Sequence, residues 1–273
     1  MDAVRILFCS ALAMIACLFQ GASLRGEEPA EKPADTRFAE TARLYAIRPL
    51  KDDRTYDRQE LELLRWSNPL RTTSAGTMFV WTDGGRPVVI ASMYRYGDDP
   101  YTKIDHEFVS LSEAGLRADY AGRVVWAPRE AGVRWTAIEK SPTPAPARTT
   151  RLTQMRLLAN RFEGMLTKND GDRERLRLLT QPIYRYPESA SRDGAIFSFA
   201  QATDPEILLL IESDPSASPP VYRYAVARMS SMVLSLNYDG KTIWEIEKWA
   251  WGSTEPDQPY LTRINVTRPG ATP

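Results

Sequence analysis

LRADYAGRVVW at residues 116–126 returns as LSLNYDGKTIW at residues 234–244. Leu116, Tyr120, Gly122 and Trp126 stand opposite Leu234, Tyr238, Gly240 and Trp244, and the exchanges between them are mild: Asp119 for Asn237, Arg123 for Lys241, Val125 for Ile243. Each stretch reads as a strand, a tight turn whose glycine supplies a positive φ, and a return strand. The same separation of 118 residues lays GTMFVWTDGGRPVVI (76–90) on GAIFSFAQATDPEIL (194–208), matching Gly76 with Gly194, Phe79 with Phe197, Trp81 with Phe199 and Pro87 with Pro205. Upstream the separation falls to 113, which sets Leu63 on Leu176, Pro69 on Pro182 and RLYAIR (43–48) on RLLANR (156–161). Four blocks in one order read as a module written twice. Positions common to both copies are assigned to packing and turn geometry, including Trp126 and Trp244 in the core, because an active site seldom occurs twice.

A helix opens each copy. Leu152, Met155, Ala159, Phe162 and Leu166 recur at three and four residues, as Phe38, Ala42 and Tyr45 do in the first copy before Pro49. Two hairpins follow, the first turning at Asp83-Gly84-Gly85 in one copy and at Thr203-Asp204-Pro205 in the other. The run ILLLI (207–211) is apolar on both strand faces and belongs between two layers. The predicted fold class is α+β: two tandem repeats, each an N-terminal helix packed on an antiparallel sheet of about four strands. The expected organisation is a signal peptide (1–26), a disordered leader (27–35), a first repeat (36–140), a Pro-rich linker (141–150), a second repeat (151–252), and a C-terminal strand and tail (253–273).

The signal reading rests on Arg5, an apolar run over 6–19, and the small residues Gly21, Ala22 and Ser23. The alternative for that segment is a retained N-terminal anchor. Cys9 and Cys17, the two cysteines of the chain, fall inside it. The chain beyond it therefore has no disulfide, thiolate ligand or cysteine nucleophile. With 35 basic and 35 acidic residues there is no global field to gather nucleic acid. No later apolar run is long enough to cross a membrane, so none is expected after signal removal. These features point to a secreted or periplasmic protein whose partner is an extracytoplasmic ligand or protein.

The pair Asn68-Pro69, followed by Gly76, Trp81, GRP (85–87) and TDPE (203–206), resembles uncharacterised secreted proteins of planctomycete-type bacteria. That resemblance implies an exported bacterial protein and carries no functional residue. The order of helix before sheet is similar to cystatin-like and NTF2-like folds, an analogy of layers alone.

Three sites are candidates for chemistry. His106, the one histidine, stands between Asp105 and Glu107 and would serve a hydrolase as base. On a strand, however, neighbouring side chains point to opposite faces, so the alternative is a structural histidine. Trp249 and Trp251, with Trp135, are the candidate binding aromatics, placed to stack on a sugar or hold a peptide; the alternative is that they close the core. Asp98, Asp99 and Asp105 gather near one turn, as do Asp170 and Asp172, but neither spacing matches a calcium loop. No metal or cofactor is expected, and no G-x-S-x-G, phosphate loop or H-E-x-x-H occurs. Arg151, Arg156 and Arg161 line the polar side of the second helix and read as a solvated face. The sequence thus favours a non-catalytic binding or scaffold protein with a pocket between the repeats. The alternatives are a hydrolase built on residues 105–107 and a structural partner in an extracytoplasmic assembly.

Overall fold

Strands dominate the molecule. The computed structural model describes residues 36–96, 104–250 and 255–262; 51% of these are in strands and 10% are helical. The first half contains helix α1 (Thr36–Arg43) and strands β1 (Tyr45–Pro49), β2 (Asp57–Arg58), β3 (Leu64–Asn68), β4 (Thr73–Asp83), β5 (Arg86–Tyr96), β6 (Asp105–Ser110), β7 (Leu116–Tyr120), β8 (Arg123–Trp126) and β9 (Thr136–Ala137). The second contains helix α2 (Arg148–Ala159) and strands β10 (Phe162–Thr167), β11 (Arg173–Arg175), β12 (Arg177–Arg185), β13 (Gly194–Gln201), β14 (Asp204–Asp214), β15 (Val221–Arg228), β16 (Val233–Tyr238), β17 (Lys241–Ile246) and β18 (Tyr260–Thr262).

The expected α+β fold is overturned. Among the described residues there are two α-helices, of 8 and 12 residues, and the strands divide among four sheets instead of one sheet under each helix. The apolar stripe misled because a spacing of four fits both periods: it is one turn of helix and also two full repeats of a strand. Met155 and Ala159 are on α2, whereas Phe162 and Leu166 lie on β10, whose residues alternate between buried and half-buried. Tyr45 likewise belongs to β1. The helix also begins before residue 151, taking Arg148 from the predicted linker.

Two inner sheets face each other. One has the order β18-β6-β5-β4-β2, with β3 also on β4; the other has the order β12-β13-β14-β15-β9. Met78, Val80, Ile90 and Val109 from the first meet Ile196, Leu208, Leu210 and Ala225 from the second in one buried seam. On its far side each inner sheet carries an outer sheet and a helix. Phe79, Trp81, Ala91 and Phe108 pack on Phe38 of α1 and on Tyr45, Ala118 and Trp126 of the sheet β1-β7-β8. Phe197, Phe199, Leu209 and Ile211 pack on Met155 of α2 and on Phe162 and Leu236 of the sheet β11-β10-β16-β17. β14 is therefore clad on both faces, Ile207, Leu209 and Ile211 outward and Leu208 and Leu210 into the seam.

Pairing follows the same order in both halves. Phe79 pairs with Ala91 and Ala91 with Phe108, as Phe197 pairs with Leu209 and Leu209 with Val226. Pro87 and Pro205 each stand at a register shift of their hairpin, where a missing N–H breaks no ladder bond. Gly122 (φ 82°) and Gly240 (φ 79°) make the two tight turns. The upstream matches at a separation of 113 do not hold. Tyr45 pairs with Tyr120 as Phe162 pairs with Tyr238, so Tyr45 corresponds to Phe162, and RLYAIR and RLLANR do not coincide.

Each half also lends a strand to the other. The chain leaving β8 crosses to the second half, where β9 pairs with β15 (Thr136 with Tyr224). The chain leaving β17 crosses back, where β18 pairs with β6 (Tyr260 with Val109, Thr262 with Glu107). These two straps cover an edge of each inner sheet that would otherwise expose unpaired backbone groups. The returning strap also closes over Trp126, which is fully buried and donates its Nε1–H to the Gln258 carbonyl at 2.8 Å. Trp244, its counterpart, lies on the edge strand β17 and is half-buried, so the two tryptophans do not share one environment.

Candidate functional site

The two seam ends carry buried charge. In the middle, apolar residues of β4, β5, β13 and β14 exclude water; toward one end β14 begins with Asp204 and Glu206. Glu206 is fully buried and Asp204 nearly so. Arg71 reaches them from the turn after β3, with its guanidinium 2.9 Å from Glu206 Oε1 and 3.9 Å from Asp204 Oδ2. The Glu206 contact is an ion pair without hydrogen-bond alignment. Asn68 Nδ2 donates to Asp204 Oδ2 at 3.1 Å and to Gln201 Oε1 at 3.2 Å, tying the halves together. Ser67 and Thr203 add a reciprocal pair, 2.9 Å each way.

Glu107 enters the same end from β6. It is 7% exposed and accepts a hydrogen bond from the Tyr260 hydroxyl of β18. Burial pushes its carboxyl up to about 8; the Tyr260 hydrogen bond and the charges of Arg228 and Arg71 only partly oppose this. Burial likewise raises Asp204 and Glu206, the first further through the nearby charge of the second. Arg228 spends its N–H groups on backbone carbonyls: Ser230 (2.7 Å), Met232 (2.9 Å) and Glu247 (3.0 Å). Its guanidinium lies over the Tyr260 ring at 4.8 Å and near Trp249 at 5.9 Å. A cavity of about 60 Å³ opens here, walled by Trp66 and Tyr94, with Arg71, Asp204, Glu107 and Thr262 around it. That is room for a few waters or one small polar head group, not a whole sugar ring.

The structure separates the residues proposed for hydrolysis. Met93 pairs with His106, whose ring turns to the outer side of β6, 5.7 Å from the Tyr45 ring and 5.9 Å from the Tyr120 ring. Tyr45 Oη lies 2.6 Å from His106 Nδ1, within hydrogen-bond reach, and burial raises the phenol above its ordinary value. Glu107 faces the seam on the opposite side. Replacing His106 with alanine is expected to cost about 1–3 kcal/mol by opening the core around Tyr45. Urea unfolding measures this, and ligand binding at the seam should be unchanged.

Of the candidate aromatics, Trp249 packs edge-on against Tyr260 at 5.4 Å, just behind the cavity. Trp135 sits at the other seam end, with Arg86 and Arg223 at 5.2 and 4.7 Å from its ring. Trp251, Asp98 and Asp99 lie outside the described residues. Arg151 and Arg161 are not simply solvated: Arg151 Nε donates to Asp193 Oδ2 at 2.6 Å and Arg161 Nε to Asp239 Oδ1 at 3.0 Å. A larger cavity, about 550 Å³, opens beside the linker at Pro144 and Pro146. Its arginines are already committed, since Arg148 and Arg151 both bind Asp193 and Arg192 pairs with Asp214, so we read it as a knot fixing the linker to the second half. Among the described residues no group of three or more His, Cys, Asp and Glu could hold a metal ion, and no helix is long and apolar enough to cross a membrane.

Asp204, Glu206 and Arg71 were not singled out by sequence. The available signal was that Glu206 and Glu212 bracket ILLLI: acids flanking a strand buried on both faces must be paired or neutralised. The chain matches no protein-family model, no curated protein and no solved structure.

Proposed function

We propose that this is an exported, non-catalytic binding protein whose ligand enters the seam between the halves beside Glu107 and Asp204. The observation that carries the reading is the cavity itself. It lies where both halves and the returning strap meet, aromatic on its walls and charged at its base, which is how small-ligand sites at junctions are built. The leader with Arg5 and its apolar run supports export. The separation of His106 from Glu107 across β6 disfavours hydrolysis by that segment.

A protein-observed NMR screen of small polar fragments, following the tryptophan indole signals of the protein truncated before residue 27, tests this. Expected hits perturb the Trp66 indole and are lost in Asp204→Asn. Hits confined to the outer sheets, or turnover of ester or glycoside fragments, would contradict the reading.

A further inference from the structure

The two seam ends can be compared position by position. Asp204 pairs with Gln201 where Arg86 pairs with Asp83 in the other half. Asp105 pairs with Tyr94 where Arg223 pairs with Glu212. Extending the β9–β15 register by one residue sets Trp135 opposite Ala225, the place that Thr262 takes opposite Glu107. One end is therefore plugged: the Trp135 indole fills it, held by the guanidiniums of Arg86 and Arg223, with Glu212 balancing them at 3.2 and 2.7 Å. The other end has a threonine for the indole and Asp204 in the place of Arg86, and there the cavity remains.

The charge census at the open end is uneven. Glu107 of β6 meets Asp204 and Glu206 of β14, with Arg71 after β3, Arg228 of β15, and Tyr260 of β18 around them. Glu174 of β11, paired with Lys168 at 3.3 Å, lies behind Glu206. Three carboxyls thus face two guanidiniums, one of which is spent on backbone carbonyls.

We propose that the open seam end binds a primary ammonium head group, such as that of an alkylamine or a lysine side chain, between Asp204, Glu107 and the Trp66 and Tyr94 rings. This rests on the seam being the binding site and adds the class of ligand. The ammonium takes the place of the Glu107 proton as the third positive charge beside the three carboxyls, and aromatic walls favour it further. On binding, the neutral Glu107 carboxyl gives its proton to solvent while the ligand keeps its own three, so charge within the site balances. Burial holds that carboxyl at about 8 in the free protein, so affinity should climb with pH across that value.

Calorimetry with n-pentylamine, 1-pentanol and pentanoate at pH 6.5 and 8.5 tests the proposal. Pentylamine is expected to bind about twentyfold more tightly at pH 8.5, with proton release seen by changing the buffer's ionisation enthalpy, and the alcohol and acid should not bind. Glu107→Gln should lower the pH dependence to the part that Asp204 and Glu206 contribute. Thr262→Trp, which copies the plugged end, should abolish binding with an unchanged circular dichroism spectrum. If pentanol or pentanoate binds and the amine does not, the ammonium assignment is wrong and the seam site stands. If pentylamine binds Thr262→Trp as well as the unmodified protein, the seam site fails with it. Absence of amine binding at millimolar concentration overturns the proposal, while the fragment screen decides the seam separately.

Discussion

Gly76→Ala is expected to destabilise the protein by about 3 kcal/mol, more than most single-methyl changes. Gly76 and its counterpart Gly194 are not turn residues: they lie in β4 and at the start of β13. Each is a seat for a ring. Trp66 pairs with Gly76 across β3–β4, and a Cβ there would fall 2.2 Å from Trp66 Cε2. At Gly194 a Cβ would fall 2.5 Å from Tyr186 Cε2. The Trp66 ring cannot step aside, because its Nε1–H is held by Ser92 Oγ at 3.0 Å and Tyr94 packs 5.6 Å away. Pairing Gly76→Ala with Trp66→Leu should recover part of the loss, and a double-mutant cycle from urea unfolding measures that coupling. Additive losses would show that the clash is not the cause.

Glu107→Gln should change how stability depends on pH. An unfolded glutamate loses its proton near 4.5, whereas the folded one keeps it to about 8. Between those values the folded state holds the extra proton, so stability falls as pH rises through this window and is lowest above 8. Glutamine cannot ionise, so the variant escapes the penalty. It should match the unmodified protein near pH 5 and exceed it at pH 9 by on the order of 4 kcal/mol. Asp204 and Glu206, raised in the same direction, leave the variant a residual slope of the same sign. Equal stability of the unmodified protein at pH 5 and pH 9 would contradict the burial of an ionisable Glu107.

Much of the pairing was legible because it depends on local chemistry. Glycines at 122 and 240, prolines at 87 and 205, and the doubly apolar ILLLI each do what their residue type dictates. The helix-to-strand junctions were not legible, since Phe162 and Leu166 satisfy both periods. The correspondence of Trp66 with Tyr186 was hidden too, because different rings fill the same seat and the loops before them differ in length. The site was least visible of all. Arg71, Glu107 and the pair Asp204 and Glu206 come from three separate stretches, and only the facing of the inner sheets brings them together. Which end of the seam is plugged follows from a single exchange, Trp135 against Thr262, in segments whose strand pairing is nonlocal.

The exchange of straps is the most direct point of test. A protease site placed in residues 141–147, cut after folding, severs the covalent link and leaves both straps in place. Light scattering of the cut protein at native pH should give one particle of unchanged mass, which falls into two fragments only in denaturant. Separation of the halves under native conditions, each folded alone, would contradict the reciprocal pairing of β9 with β15 and β18 with β6.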